Sequence, residues 1–170
     1  MDDSDFCHWR DRKLTEYADS ASSCLVEINN PGSLSRGERQ RIAKLVESNN
    51  FFLYQINQSA HGHGGLQGLA SQLGLTDVVM NPGSSESGVS TIESVAAEDS
   101  GKIRAGYIPY SNKALNWHTD GYYNEESEKV RAFALHCEQP AESGGQNQLI
   151  DHEIVYAWLR TENSEPVSYT

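Results

Sequence analysis

The sequence predicts an α+β domain. Three observations carry that expectation. A helix-opening signal stands at Ser35, with apolar residues at helical spacing behind it. A period-two alternation runs through 131–138. An aspartate at 151 precedes a second helical stripe. Helices come first, short strands follow, and a helix closes the order. That order fits an α+β plan or a β-barrel decorated by helices.

Each element has a local reason. Ser35-Arg36-Gly37-Glu38 reads as a capping box, with Ser35 as N-cap and Glu38 reaching back. Ile42, Leu45 and Val46 follow on one face. Asn49-Asn50 ends the helix, because asparagine tolerates the left-handed conformation. Residues 51–54, Phe-Phe-Leu-Tyr, read as a short buried strand. The stretch "HGHGG" at 61–65 reads as a flexible loop. Leu66, Leu69, Ala70 and Leu73 give a second amphipathic helix, closed by Gly74. Residues 81–90 are rich in glycine and serine and read as a long loop, and 91–95 as a strand. In 131–138, Phe133, Leu135 and Cys137 share one face, and Ala132, Ala134, His136 and Glu138 the other. A turn at 140–145 leads to a strand at 146–150. Asp151 then caps a helix with Ile154, Val155, Trp158 and Leu159 inside.

Bulk composition narrows the class. The 170 residues fit one domain, 1–170, large enough to close a core without staples. Mean hydropathy is −0.61, and no run approaches the ~18 apolar residues of a membrane helix. The acidic start lacks the basic and apolar regions of a secretory signal, so the expected location is cytoplasmic. Three scattered cysteines, Cys7, Cys24 and Cys137, read as reduced and mostly buried thiols. The formal charge is −11, split as −3 over 1–85 and −8 over 86–170. Such a surface repels phosphate backbones, so nucleic acid is not an expected partner, and neither is a membrane.

The chemistry-bearing stretch is "NWHTDGYYN" at 116–124. In an extended segment, residues i and i+2 point the same way. His118 and Asp120 then face one ion. One imidazole and one carboxylate, joined by a distant histidine, make the facial triad of non-haem Fe(II) oxygenases. Spacing alone is weak support, because six histidines among twenty-four acids give about one such pair by chance. His136 and Glu138 form another. The competing reading is a strand-end histidine paired with solvent or with a nearby acid.

The surrounding residues sharpen the choice. Trp117-His118-Thr119-Asp120-Gly121, followed by "ALHCEQPAESGGQNQLIDHEIVYAWL" at 134–159, resembles the taurine dioxygenase-like (clavaminate synthase-like) family of Fe(II)/2-oxoglutarate-dependent oxygenases. The resemblance is clear over 107–160. It implies a double-stranded β-helix, or jelly roll, with N-terminal helices packed on it. It implies Fe(II), with 2-oxoglutarate as co-substrate, dioxygen and a small organic substrate. Oxidation of that substrate would be coupled to decarboxylation of 2-oxoglutarate to succinate. His118 and Asp120 become metal ligands, and no catalytic residue beyond the ligands is expected. Asn147 stands where the family often has a threonine that touches 2-oxoglutarate. It reads equally as a turn residue. Trp117 reads as packing beside the metal.

Two family features lack counterparts. The family's second histidine lies far beyond the first, and an arginine shortly after it grips 2-oxoglutarate. This chain stops fifty residues after Asp120. His136 and His152 do not match the distal motif, nor do Arg131 and Arg160. Three readings stay open. The chain is the N-terminal portion of an oxygenase, with an incomplete jelly roll. It is a shortened, inactive relative acting as a binding or assembly module. Or His136 or His152 substitutes as ligand. Missing strands would leave open edges and uncovered apolar surface, so self-association is expected. Elsewhere, His61 and His63 read as loop residues. Tyr107, Tyr110, Tyr122 and Tyr123 are divided between pocket lining and wall packing. Asn116 has only its position to suggest contact with substrate.

Overall fold

A computed structural model describes residues 2–18, 20–56, 63–80, 84–85, 88–93, 108–111, 113–121 and 123–163. The chain divides into two compact units, one from 1–65 with 137–170 and the other from 66–136.

The first unit begins with α1 (Asp3–Glu16). Asp2 caps it by accepting from the Asp5 backbone N–H at 2.8 Å. A short α2 (Ala21–Cys24), capped by Ser20, leads into β1 (Leu25–Ile28). Helix α3 (Arg36–Asn49) carries the chain to β2 (Leu53–Ile56). The two strands pair in parallel, with Leu25 opposite Leu53 and Ile28 opposite Ile56. Parallel neighbours need a crossover, and α3 supplies it. In β1, Val26 and Ile28 turn inward while Leu25 and Glu27 turn out. Ile42 and Leu45 of α3 are buried with them. Each such side chain contributes about 1.5–3 kcal/mol by leaving water.

Local signals in this unit act as read from the sequence. Ser35 Oγ accepts from the Glu38 N–H at 3.2 Å, and Glu38 Oε2 accepts from the Ser35 N–H at 2.6 Å. Glu38 Oε1 also accepts from the Asn29 N–H at 2.9 Å. The Ser35 side chain first, and then these backbone donors, hold the Glu38 carboxyl below its ordinary pKa. Asn50 ends α3 at φ 59°, in the left-handed region. Its side chain has a second use. Nδ2 donates to Asp151 Oδ1 and to Glu153 Oε2, each at 2.9 Å. Asp151 caps α5 (His152–Glu162) by accepting from the Glu153 N–H at 2.9 Å.

Helix α5 packs on α1. Phe6, Trp9 and Tyr156 form a ring cluster with centroids 5.8–6.0 Å apart. The Arg160 guanidinium lies 4.3 Å from the Phe6 ring centre. Beneath them sits Lys13, 5% exposed, with Nζ 2.6 Å from Asp151 Oδ2 and 2.5 Å from Glu153 Oε2. Burial works against the ammonium charge. The two carboxylates outweigh it and hold the Lys13 pKa above its ordinary value.

The second unit takes most of α4 (His63–Gln72). This helix closes on Gly74 at φ 76°, where the Gly74 N–H donates to Ser71 O at 3.1 Å and the Leu75 N–H to Ala70 O at 2.9 Å. These are the two bonds of a Schellman end. Two single 3-10 turns follow, Ile108–Tyr110 and Glu126–Glu128.

Several expectations are corrected. The strand read at 51–54 lies at Leu53–Ile56. Residues 63–65 of the "HGHGG" stretch belong to α4, and 61–62 lie outside the described residues. The stretches 131–138 and 146–150 form no strand, nor do 91–93, while 94–95 lie outside the described residues. Phe133 and Leu135, read as an inward face, are 55% and 51% exposed. Alternation prepares a face but does not supply the neighbouring strand that would use it. The sheet among the described residues is two-stranded and parallel within an α+β order of elements, which does not confirm a double-stranded β-helix. None of the three cysteines forms a disulfide, but only Cys24 is buried. No described helix is long and apolar enough to cross a membrane.

Candidate metal centre

His118 and Asp120 lie in the second unit, in a stretch that is not a strand. Their side chains nevertheless converge. His118 Nε2 is 3.7 Å from Asp120 Oδ1, and the two side chains are 44% and 52% exposed. The two groups approach each other although their stretch is no strand. A turn follows them: the Asn124 N–H donates to Gly121 O at 3.0 Å, with Gly121 at φ 71°.

The imidazole is oriented from behind. His118 Nδ1 lies 2.7 Å from the Asn116 carbonyl oxygen. A carbonyl only accepts, so Nδ1 carries the proton and the Nε2 lone pair is left on the side of Asp120. A ring N–H given to a backbone carbonyl, leaving the other nitrogen for the metal, is the usual support of a metal-binding histidine. Asn116, considered from sequence as a substrate contact, has this role through its backbone.

The pair fits a divalent ion. Imidazole nitrogen and carboxylate oxygen each bind such ions at about 2.0–2.2 Å. Atoms 3.7 Å apart lie within the reach of one shared cation. Among the described residues no third His, Cys, Asp or Glu joins them. His136 is half-buried within 131–138, and His152 is exposed at the start of α5. The histidines of the "HGHGG" stretch have no described side chains.

Other candidates are placed as follows. Trp117 is 66% exposed, so it does not pack as expected. Tyr123 is 73% exposed and Tyr110 half-buried, while Tyr107 and Tyr122 lie outside the described residues. Asn147, in the first unit, donates from Nδ2 to Gly145 O at 3.3 Å within its own turn. A concavity of about 300 Å³ in the first unit is lined by Arg10, Asp11, Leu14, Trp158, Thr161 and Glu162, and holds no metal-type donor set. Sequence reasoning missed the buried Lys13 cluster. Its only trace was the run of Phe6, Trp9 and Lys13 at helical spacing behind Asp2.

A converging imidazole and carboxylate are two candidate ligands for a divalent metal. The family comparison is specific. The family model described as "Taurine catabolism dioxygenase TauD, TfdA family" matches residues 10–167. The chain belongs to that family of Fe(II)- and 2-oxoglutarate-dependent dioxygenases. No curated protein and no solved structure matches it.

Proposed function

We propose that this chain is an Fe(II)/2-oxoglutarate-dependent dioxygenase acting on a small organic substrate, with His118 and Asp120 holding the iron. The observation that carries the reading is the 3.7 Å approach of Nε2 to Oδ1, with Nδ1 engaged by the Asn116 carbonyl. Family membership supplies the identity of the metal and of the co-substrate. When bound, ferrous iron with 2-oxoglutarate supplies the dioxygen chemistry. The residues of the chain do the rest. Asn116 O keeps the proton on Nδ1, so the Nε2 lone pair is free to bind. Asp120 offsets part of the metal charge. The exposure of both side chains leaves room for a chelating co-substrate.

Asn147 is our assignment for a 2-oxoglutarate contact, on its position in the family pattern. Its amide has a second N–H beyond the one given to Gly145 O. The incomplete double-stranded β-helix and the cytoplasmic location belong to the same proposal.

Anaerobic titration with Fe(II) in the presence of 2-oxoglutarate tests the reading. The expected result is a visible metal-to-ligand charge-transfer band that is absent in His118→Ala. No band at saturating iron, or an unchanged band in the variant, rejects it.

One observation favours a second reading, a binding or assembly module without turnover. Leu115, Trp117, Phe133 and Leu135 are each more than half exposed. Under that reading the chain self-associates through these residues and gives no charge-transfer band.

A further inference from the structure

We propose that the outer face of α3 is a docking surface for a carboxylate-rich polypeptide segment. Four of the chain's thirteen Lys and Arg residues stand on this one helix, Arg36, Arg39, Arg41 and Lys44, although the chain as a whole carries −11. All four are exposed. Arg36, Gln40 and Lys44 recur every four residues and form one stripe, on the side away from the buried Ile42 and Leu45. Arg41 borders the stripe. Its Nη2 donates to the Ser23 carbonyl, which fixes the guanidinium there. Arg39 lies on the opposite flank.

This arrangement works against the helix that carries it. Arg36 takes the first helical position and Arg39 the fourth, while the last turn holds no cation. The positive end of the helix dipole disfavours that order. Gly37, beside Arg36 and one turn before Arg41, lowers helix propensity. A Cβ built at Gly37 would meet nothing within 4 Å, so no packing in the chain asks for glycine there. Glu38, the acid of the first turn, does not neutralise the stripe. Its two carboxylate oxygens accept from the Asn29 and Ser35 N–H groups on the capped side. A face that is merely solvated has no reason to combine these features. Local rules broken without a return inside the fold are expected where something binds.

The chemistry of the stripe selects its occupant. Guanidinium and ammonium groups offer only donors, and the Gln40 amide adds two more. Carboxylates offer only acceptors, and such charged pairs are the strong ones. From Arg36 to Lys44 the helix rises about 12 Å, which about four residues of extended peptide cover. A nucleic acid carries a longer line of charge and would meet the acidic remainder of the surface. A second copy brings its own −11, which opposes association.

The experiment uses the full chain without metal and a fluorescein-labelled hexaglutamate peptide, read by anisotropy at low salt. Wild type is expected to bind, and to release the peptide as salt rises. Arg36→Gln with Lys44→Gln weakens binding about tenfold, the combined worth of two exposed ion pairs. Lys113→Gln with Lys129→Gln changes the net charge equally in the other unit and keeps the affinity. Gly37→Gln leaves the charge untouched but lays a side chain beside the stripe. It raises the urea midpoint and weakens the peptide about threefold, which a solvated face would not do. Absence of binding by wild type overturns the proposal. Equal losses in the two double variants also overturn it, because net charge then suffices, as does an unchanged affinity in Gly37→Gln. A six-nucleotide RNA that binds as tightly as the peptide gives the face to nucleic acid. A two-chain sedimentation mass that falls to one chain in the Arg36/Lys44 variant gives it to a second copy. Either result overturns the assignment of an acidic polypeptide.

Discussion

The two compact units spend their residues differently. The first buries Phe6, Cys24, Val26, Ile28, Leu34, Ile42, Leu45, Ile56, Ile154 and Ala157. The described part of the second buries one large hydrophobic side chain, Leu69. Yet the second unit holds the converging imidazole and carboxylate. Stability and candidate chemistry are thus housed apart. His118 and Asp120 stand about half exposed, at 44% and 52%. A site so built responds to local changes that global unfolding barely registers.

The sharpest way to break the contrast is to strike the first unit where its charge is buried. Asp151→Ala strands Lys13 with Glu153 as its one carboxylate partner and removes the α5 cap. We expect a loss of about 3 kcal/mol in urea unfolding. Lys13→Met with Asp151→Ser keeps a capping hydroxyl and removes both charges, and recovers most of that loss. The lysine contribution has a defined window, because its folded pKa is raised. It is full below the ordinary lysine range and disappears as pH rises through the raised value. The nuclear Overhauser contact between the His118 ring and the Asp120 β-protons is unchanged in Asp151→Ala at temperatures where the first unit stays folded. Its loss would show that the two units are coupled.

A smaller effect is expected at the α3 cap. Ser35→Ala costs about 1 kcal/mol by thermal or urea unfolding. The Glu38 share has the opposite pH dependence to that of Lys13, because its folded pKa is depressed. It is present above the ordinary glutamate range and lost as pH falls through the depressed value. The melting difference between wild type and Glu38→Gln therefore closes on acidification. A difference that is flat with pH would assign the cap to geometry without charge.

The smallest stability change belongs to the second unit. Phe133→Ser alters unfolding by no more than about 0.5 kcal/mol, because the ring is 55% exposed. It lowers the scattering mass if this surface joins copies of the chain. A core-sized loss would mean that 131–138 packs as an inner strand face after all.

Elements that depend on a few neighbouring residues were legible in the sequence. The Ser35–Glu38 box, the left-handed Asn50, the Gly74 ending and the Asp151 cap each close within one helical turn. Their physics is local, so composition at fixed spacing predicts them. Helix α1 was not legible. Its inward face carries Lys13, a residue that reads as solvated until Asp151, 138 residues away in sequence, is brought beside it. The short β1 was missed for a related reason, since a four-residue parallel strand exists only through its partner β2.

The strands read at 131–138 and 146–150 failed on the same ground in reverse. Alternation prepared a face, but among the described residues neither stretch forms a strand. For the site, the identity and spacing of His118 and Asp120 were written in the sequence, together with the family pattern around them. That the two side chains approach to 3.7 Å, and that the Asn116 carbonyl engages Nδ1, were decided by the folded backbone. Spacing along a chain cannot carry that, because the approach depends on the dihedral angles of every residue between the groups.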